Sequence, residues 1–258
     1  MSAPAQPTFA PRPGAAPMPR MVARQAWLEL TLMLRNGEQL VLALVIPVLV
    51  LVGVTLVDAV DLGPGRRVDI ITPGVFALAV MSTAFTGQAI ATGFDRRYGV
   101  LKRLGATPLP RWGLIAAKTA CVLVVELGQL LVLALVATRL GWHPRGSVLD
   151  VAALLLVGTA AFSGLGLLMA GTLRAEATLA GANLVWLLLF VGGGIVVPLD
   201  QMPEGVAAGL AYLPSAALTE GLRDVLQHGA SLPWPHLGVL LVWAGVGVGL
   251  ASRTFRWE

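Results

Sequence analysis

Long apolar runs alternate with short polar interruptions along most of this chain, and the runs have membrane length. Predominantly apolar residues occupy 39–57, 72–92, 114–136, 151–173, 179–197 and 237–251. A hydrocarbon core about 30 Å thick needs roughly 20 such residues per helical crossing. The pattern therefore predicts an all-α polytopic membrane protein with six transmembrane helices, residues 39–258 forming one membrane domain. Pro47 falls inside the first run, which a lipid-embedded helix tolerates when its neighbours satisfy the freed carbonyl. Ahead of that run, Ala23, Trp27, Leu30 and Leu34 recur at helical spacing, while Arg24, Gln25, Glu29, Arg35 and Glu38 fill the rest of the wheel. This periodicity over 21–38 predicts an amphipathic helix in the membrane interface, with Trp27 at headgroup depth. A solvated lead-in to the first span is the alternative. Residues 1–20 are rich in Pro, Ala and Gly, lack the apolar core of a signal peptide, and read as a disordered tail.

Two connecting segments carry patterns of their own. After the second run, a helix from about 95 to 104 would line up Phe94, Tyr98 and Leu101, with Leu104 extending the stripe. Asp95, Arg96, Arg97, Lys102 and Arg103 project from its remaining surface, so such a helix offers a partner an apolar ridge and a charged flank. Gly105 stops it, and Thr107-Pro108-Leu109-Pro110 stiffens the return. The segment from about 199 to 235 is long for a turn and still apolar, punctuated by Pro203, Pro214 and Pro233. Two short helices, about 204–212 and 215–227, fit it; at half the length of a span they are candidates for re-entrant or interfacial elements. The fifth run enters this segment through Gly192-Gly193-Gly194 and Pro198, which predicts a bent or closely packed end.

Composition agrees with this picture, and charge orients it. Of 258 residues 56% are hydrophobic and 12% charged, and the mean hydropathy is +0.79; soluble domains carry about 25% charged residues. Of the 18 basic residues, only Arg66, Arg67, Arg139, Arg145 and Arg223 fall between odd and even runs on one side. The others lie in the tail, around 96–118, at Arg174 and at the C-terminus. Basic segments near helix ends stay cytoplasmic, so both termini are expected there. The high pI of about 10.0 is then a topology signal, and no nucleic-acid partner is implied. The one cysteine, Cys121, reads as a small hydrophobe.

The string Phe94-Asp95-Arg96-Arg97-Tyr98-Gly99-Val100-Leu101-Lys102-Arg103-Leu104, followed by Ala106-Thr107-Pro108-Leu109, resembles the permease subunits of ABC-2 type exporters, particularly the daunorubicin-resistance kind. The later stretch from Gly192 to Pro203, with Leu213-Pro214 and 217–223 after it, is similar to that family's second recognisable region. The resemblance implies a permease without catalytic residues that pairs with a second permease chain, identical or different, and with nucleotide-binding ATPase subunits. It also implies that 95–104 is the coupling helix seated on the ATPase, 21–38 the interfacial helix, and the helices between spans five and six an external gate. No G-x-x-x-x-G-K-[ST] occurs in the chain, so ATP and Mg²⁺ are expected on the partner and no cofactor here. The implied cargo is a hydrophobic or amphipathic small molecule, a drug, antibiotic or lipid; similar permeases also handle lipid-linked glycans, polysaccharide and haem.

Three polar residues inside the runs are candidates for lining a cavity: Glu126, Gln129 one turn on, and Asn183. An ionisable group at membrane depth faces a cavity or a partner; interhelical hydrogen bonding is the competing explanation for all three. Glu176 beside Arg174 reads as a solvated pair or a second ATPase contact. His143, His228 and His236 lack metal-ligand spacing, and no metal is assigned. An ATP-independent channel or secondary transporter would call for matched halves with discontinuous helices, and no inverted repeat is evident. A membrane enzyme would need His, Asp or Glu clustered at one face, which the sequence does not offer.

Overall fold

The computed structural model describes residues 14–57 and 65–254, and every regular element among them is helical. Helix α1 (Met18–Arg35) is separated by Asn36 from α2 (Gly37–Leu56). Helix α3 (Arg67–Val80) continues through a π-helical segment, Met81–Gly87, into α4 (Gln88–Arg97). A short α5 (Val100–Gly105) leads to α6 (Arg111–Arg139), α7 (Val148–Thr172) and α8 (Ala175–Gly192). A 3₁₀ turn at Leu199–Gln201, α9 (Glu204–Leu210) and α10 (Pro214–Leu226) then precede α11 (Trp234–Thr254).

Among the described residues five helical stretches are long and apolar enough to cross a membrane: Arg67–Arg97, Arg111–Arg139, Val148–Thr172, Ala175–Gly192 and Trp234–Thr254. The first expected span, 39–57, coincides with α2, whose Ala43–Leu56 is a shorter apolar helix with Pro47 inside it. The runs 72–92, 114–136 and 237–251 lengthen at both ends, because flanking polar residues continue the backbone hydrogen-bond ladder. The run 179–197 instead shifts to Ala175–Gly192: Gly194 takes a left-handed φ of +64°, and the helix has ended before it. Residues 18–20, expected in the tail, form the first turn of α1, where Pro19 removes an N–H that has no intrahelical partner. The same helix stops at Arg35 rather than reaching Glu38. The remainder of the expected tail, 1–13, lies outside the described residues.

Helix α3 is the buried centre: from Val68 to Val80 every residue except Asp69 is buried, against α2, α6 and α10. Lipid tails are as apolar as these side chains, so close packing rather than escape from water holds such helices together. Glycines provide that closeness where α7 meets α11, since a Cβ on Gly164 would fall 2.6 Å from the Val248 nitrogen. The two short helices expected after span five behave differently from each other. Helix α10 is buried along most of its length against α3, α7 and α11, whereas α9 buries nothing.

The bundle has two distinct ends. At one, Arg111 Nη1 donates to the Arg253 carbonyl at 3.3 Å, and Leu101, Leu109, Leu114, Ile115, Leu167 and Ala251 share a small apolar cluster with Met21 and Val22 at its edge. Both terminal helices therefore meet the α4–α5 connection at this basic end. The α8–α10 segment closes the other.

Candidate functional site: the basic elbow and the capped end

The segment 95–104 is an elbow rather than one helix. Helix α4 closes with Tyr98 N–H donating to the Phe94 carbonyl at 2.9 Å and Gly99 N–H to Arg96 at 3.0 Å. Gly99 then takes φ +72°, a conformation that costs a residue without a Cβ nothing, and α5 starts in a new direction. The expected ridge is divided by this bend. Phe94 and Tyr98 stack with ring centroids 6.1 Å apart, and Tyr98 is 70% exposed. Leu101, expected beside them, is fully buried in the small apolar cluster, with Leu104 at its edge, so it roots the elbow. Lys102 and Arg103 remain exposed on α5 with Val100.

Three consecutive side chains at the end of α4 reach three different helices. Asp95 Oδ2 accepts from Lys118 Nζ of α6 at 2.9 Å. Arg96 Nη1 donates to the Ala170 carbonyl of α7 at 3.1 Å. Arg97 pairs with Glu176 of α8, which thus neither pairs with Arg174 nor stands alone. Of the residues expected to form a docking flank, Asp95 and Arg96 are turned toward the bundle, where each has a partner of matching chemistry, while the Arg97–Glu176 pair stays at the surface.

Lys118 is 4% exposed and pairs a second time, with Glu29 Oε2 of α1 at 3.0 Å. Glu29 is itself steadied by Gln25, whose Nε2 donates to Oε1 at 2.9 Å. In the sequence Lys118 counts only as a topology charge, although it lies inside the run 114–136. A lysine there demands an acidic partner, and that demand was the available signal. The ion pair fixes which face of α1 meets α6. Leu30 is half-buried, while Trp27 and Leu34 are 67% and 57% exposed and point away from the bundle. Between α1 and the return after α5 lies an open groove of about 280 Å³ walled by Met21, Leu28, Leu104, Pro108 and Leu109, with Arg24 and Gln25 on its α1 side.

The three intramembrane candidates divide. Glu126, 2% exposed, accepts the Thr159 hydroxyl of α7 at 2.5 Å. Gln129 accepts from Thr83 of the π-helical segment at 3.0 Å and donates through Nε2 to the Ala43 carbonyl of α2 at 2.6 Å. These two tie α6 to three neighbours. Asn183 donates only within its own helix, to Leu179 at 2.9 Å. The tie from α8 comes instead from Trp186, whose Nε1 donates to Ser82 at 3.0 Å, a contact the sequence did not single out.

At the capped end, Gly192 abuts Leu210 and Leu213, and a Cβ on Gly193 would lie 2.4 Å from the Leu189 carbonyl and 2.7 Å from Ser215. Pro198 precedes the 3₁₀ turn, Pro203 precedes α9, and Pro214 opens α10. Arg223, 4% exposed, was counted in the sequence only as a loop charge. It pairs with Glu220 and donates through Nη2 to the Gly194 carbonyl at 3.0 Å, while Glu220 accepts from Leu199 N–H at 3.3 Å.

The family model of the ABC-2 type transporter matches residues 23–226, from the middle of α1 to the last residue of α10. No individually curated protein matches the chain. The matched span is most of the sequence and contains both the elbow with its Lys118 pairs and the capped end with Arg223. The chain belongs to the ABC-2 type transporter family.

Proposed function

We propose that this permease is the membrane half of an exporter that carries hydrophobic or amphipathic small molecules, drug-like or lipid, out of the cytoplasm or inner leaflet of a bacterial plasma membrane. In this reading α2 completes six crossings, both termini are cytoplasmic, α1 lies in the interface with Trp27 and Leu34 toward lipid, and a second permease chain completes the pathway. ATP is hydrolysed on separate ATPase subunits, with which the family pairs in general. The observation that carries the reading is the elbow. Its tip presents exposed Tyr98, braced by Phe94, beside Val100, Lys102 and Arg103, while its roots are tied to α6, α7 and α8. A surface that is aromatic and basic at the tip and anchored at the base suits a protein partner, since buried aromatic anchors dominate such contacts. The unpaired apolar faces of α6 and α8, including Leu127, Leu131, Leu184 and Leu188, support an apolar cargo or a second permease beside them.

The test is capture. Full-length tagged chain purified from its native membrane should bring an ATP-hydrolysing subunit with it, and Tyr98→Ala should reduce the recovered ATPase activity while leaving the amount of folded permease unchanged. Recovery of no ATPase with the parent, or of equal activity with the variant, would overturn the reading. Leu101 is unsuitable for this test because its loss leaves a cavity in the root of the elbow.

A further inference from the structure

We infer that the Asp95–Lys118 pair is the joint through which movement of the elbow reaches the middle of the membrane, making Lys118 a positioning residue for transport. The inference rests on the docking of the ATPase at the elbow.

Among the described residues Lys118 is the one place where α6 is gripped ionically by two other elements, Asp95 at the end of α4 and Glu29 on α1, at 2.9 and 3.0 Å. With the ammonium 4% exposed, the Coulomb attraction is little screened, so the ammonium keeps its partners when the elbow is pushed. Along α6, Glu126 and Gln129 follow at about 1.5 Å per residue, close to 12 Å and 16 Å further on. They hold α7 through Thr159, the π-helical segment through Thr83 and α2 through the Ala43 carbonyl. An uninterrupted helix is stiff over this distance, so displacing Lys118 displaces every one of those hydrogen bonds. The segment it pulls on is a π-helical stretch inside a longer helix, an element that recurs at functional sites. The two carboxylates on Lys118 have different duties. Asp95 brings the elbow's motion in, and Glu29 holds α1 against α6.

That difference supplies the experiment. Asp95→Asn and Glu29→Gln each remove one negative charge from the same ammonium and each leave it one carboxylate, so a purely structural cluster would respond to both alike. The assembled complex is purified with its ATPase in vesicles of phosphatidylethanolamine and phosphatidylglycerol, in a Cys121→Ala background carrying a bimane fluorophore at Leu131→Cys on the exposed face of α6. Bimane emission is read before and after ATP with vanadate.

The parent and Glu29→Gln should show an emission shift. Asp95→Asn should capture the ATPase yet lose the shift, and Asp95→Glu should restore it. An unmoved signal in the parent, or equal shifts in both single variants, overturns the joint alone. Loss of ATPase capture by Asp95→Asn also overturns it, by placing Asp95 in the docking contact itself. If the parent captures no ATPase, the docking reading falls and the joint falls with it.

Discussion

The two ends of this bundle each bury a basic side chain, and they bury it in opposite ways. At the capped end Arg223 meets one carboxylate, Glu220, and the Gly194 carbonyl, among backbones in contact; a Cβ on Gly74 would sit 2.0 Å from the Ile195 oxygen. At the basic end Lys118 meets two carboxylates, Asp95 and Glu29, from separate helices, and at the Gly99 bend of the elbow nothing lies within 4 Å of an added Cβ. Backbone contact fixes a position to tenths of an ångström, because interiors so packed do not deform gradually. Side-chain ion pairs across helices fix partners while leaving room for re-orientation. The capped end is built as a fitted plug and the basic end as an articulated one.

The largest expected effect breaks the articulated end. Lys118→Met leaves Glu29 and Asp95 facing each other; removing one partner of a fully buried pair costs about 3–5 kcal/mol, a ceiling here because the two carboxylates are partly exposed. Thermal unfolding of the detergent-solubilised chain should show that loss. The triple variant E29Q/D95N/K118M, with no charge left in the cluster, should recover most of it, since a neutral set of similar volume carries no unpaired charge. A triple variant as unstable as Lys118→Met would mean that packing, rather than charge, holds this end.

How far the sequence foretold this comparison follows from the kind of signal each feature leaves. Apolar runs of membrane length are long-range averages, so five of the six expected spans match helices long and apolar enough to cross, the first matching a shorter apolar helix, and proline with glycine spacing placed α9 and α10. The elbow's residues were found, but their orientation was not: a helical wheel over 95–104 assumes one axis, and the positive φ at Gly99 creates two. Leu101 went to the wrong side for that reason. Which carboxylate meets Lys118 is a long-range fact, since Asp95 and Glu29 are far from it in the chain, and one sequence carries no pairing information. The burial of α10 was equally illegible, because a half-length apolar helix suits a membrane surface as well as a bundle interior.

A smaller effect sharpens the contrast at the level of the backbone. Gly74→Ala drives a methyl into the Ile195 carbonyl, which belongs to backbone and cannot swing aside. Such overpacking costs about 1–3 kcal/mol. Gly99→Ala at the elbow meets no atom, and its cost is the left-handed conformation alone, about 1–2 kcal/mol. Combining Gly74→Ala with Ile195→Gly leaves the clash in place, because the offending atom is a backbone oxygen; the pair should therefore be no more stable than Gly74→Ala alone. Denaturant unfolding of the single and double variants checks this, and rescue by Ile195→Gly would show that side-chain packing, not backbone contact, sets the plug.

The smallest effect concerns the rim of the plug, where Asp224 at the end of α10 faces His236 Nε2 of α11 at 3.3 Å and His228 Nδ1 at 3.5 Å. The hydrogen bond from His236 holds the Asp224 carboxyl below its usual range; partial burial opposes this, and the charge of His236 and then His228 add to it. A carboxyl whose value is lowered by folding stabilises the fold fully above the unfolded value, about 3.9 for aspartate. That contribution fades as pH falls from there through the lowered folded value. The parent should therefore lose a small increment of thermal stability as pH falls below about 4 that Asp224→Asn lacks, with the two unfolding temperatures converging on the acid side. The group is partly exposed, so the difference should be near the limit of measurement and should shrink further in high salt. If Asp224→Asn keeps the full acid limb, the seam between α10 and α11 is held by packing alone. Charge would then contribute to the plug where Arg223 grips the Gly194 carbonyl beyond α8, and not at this rim.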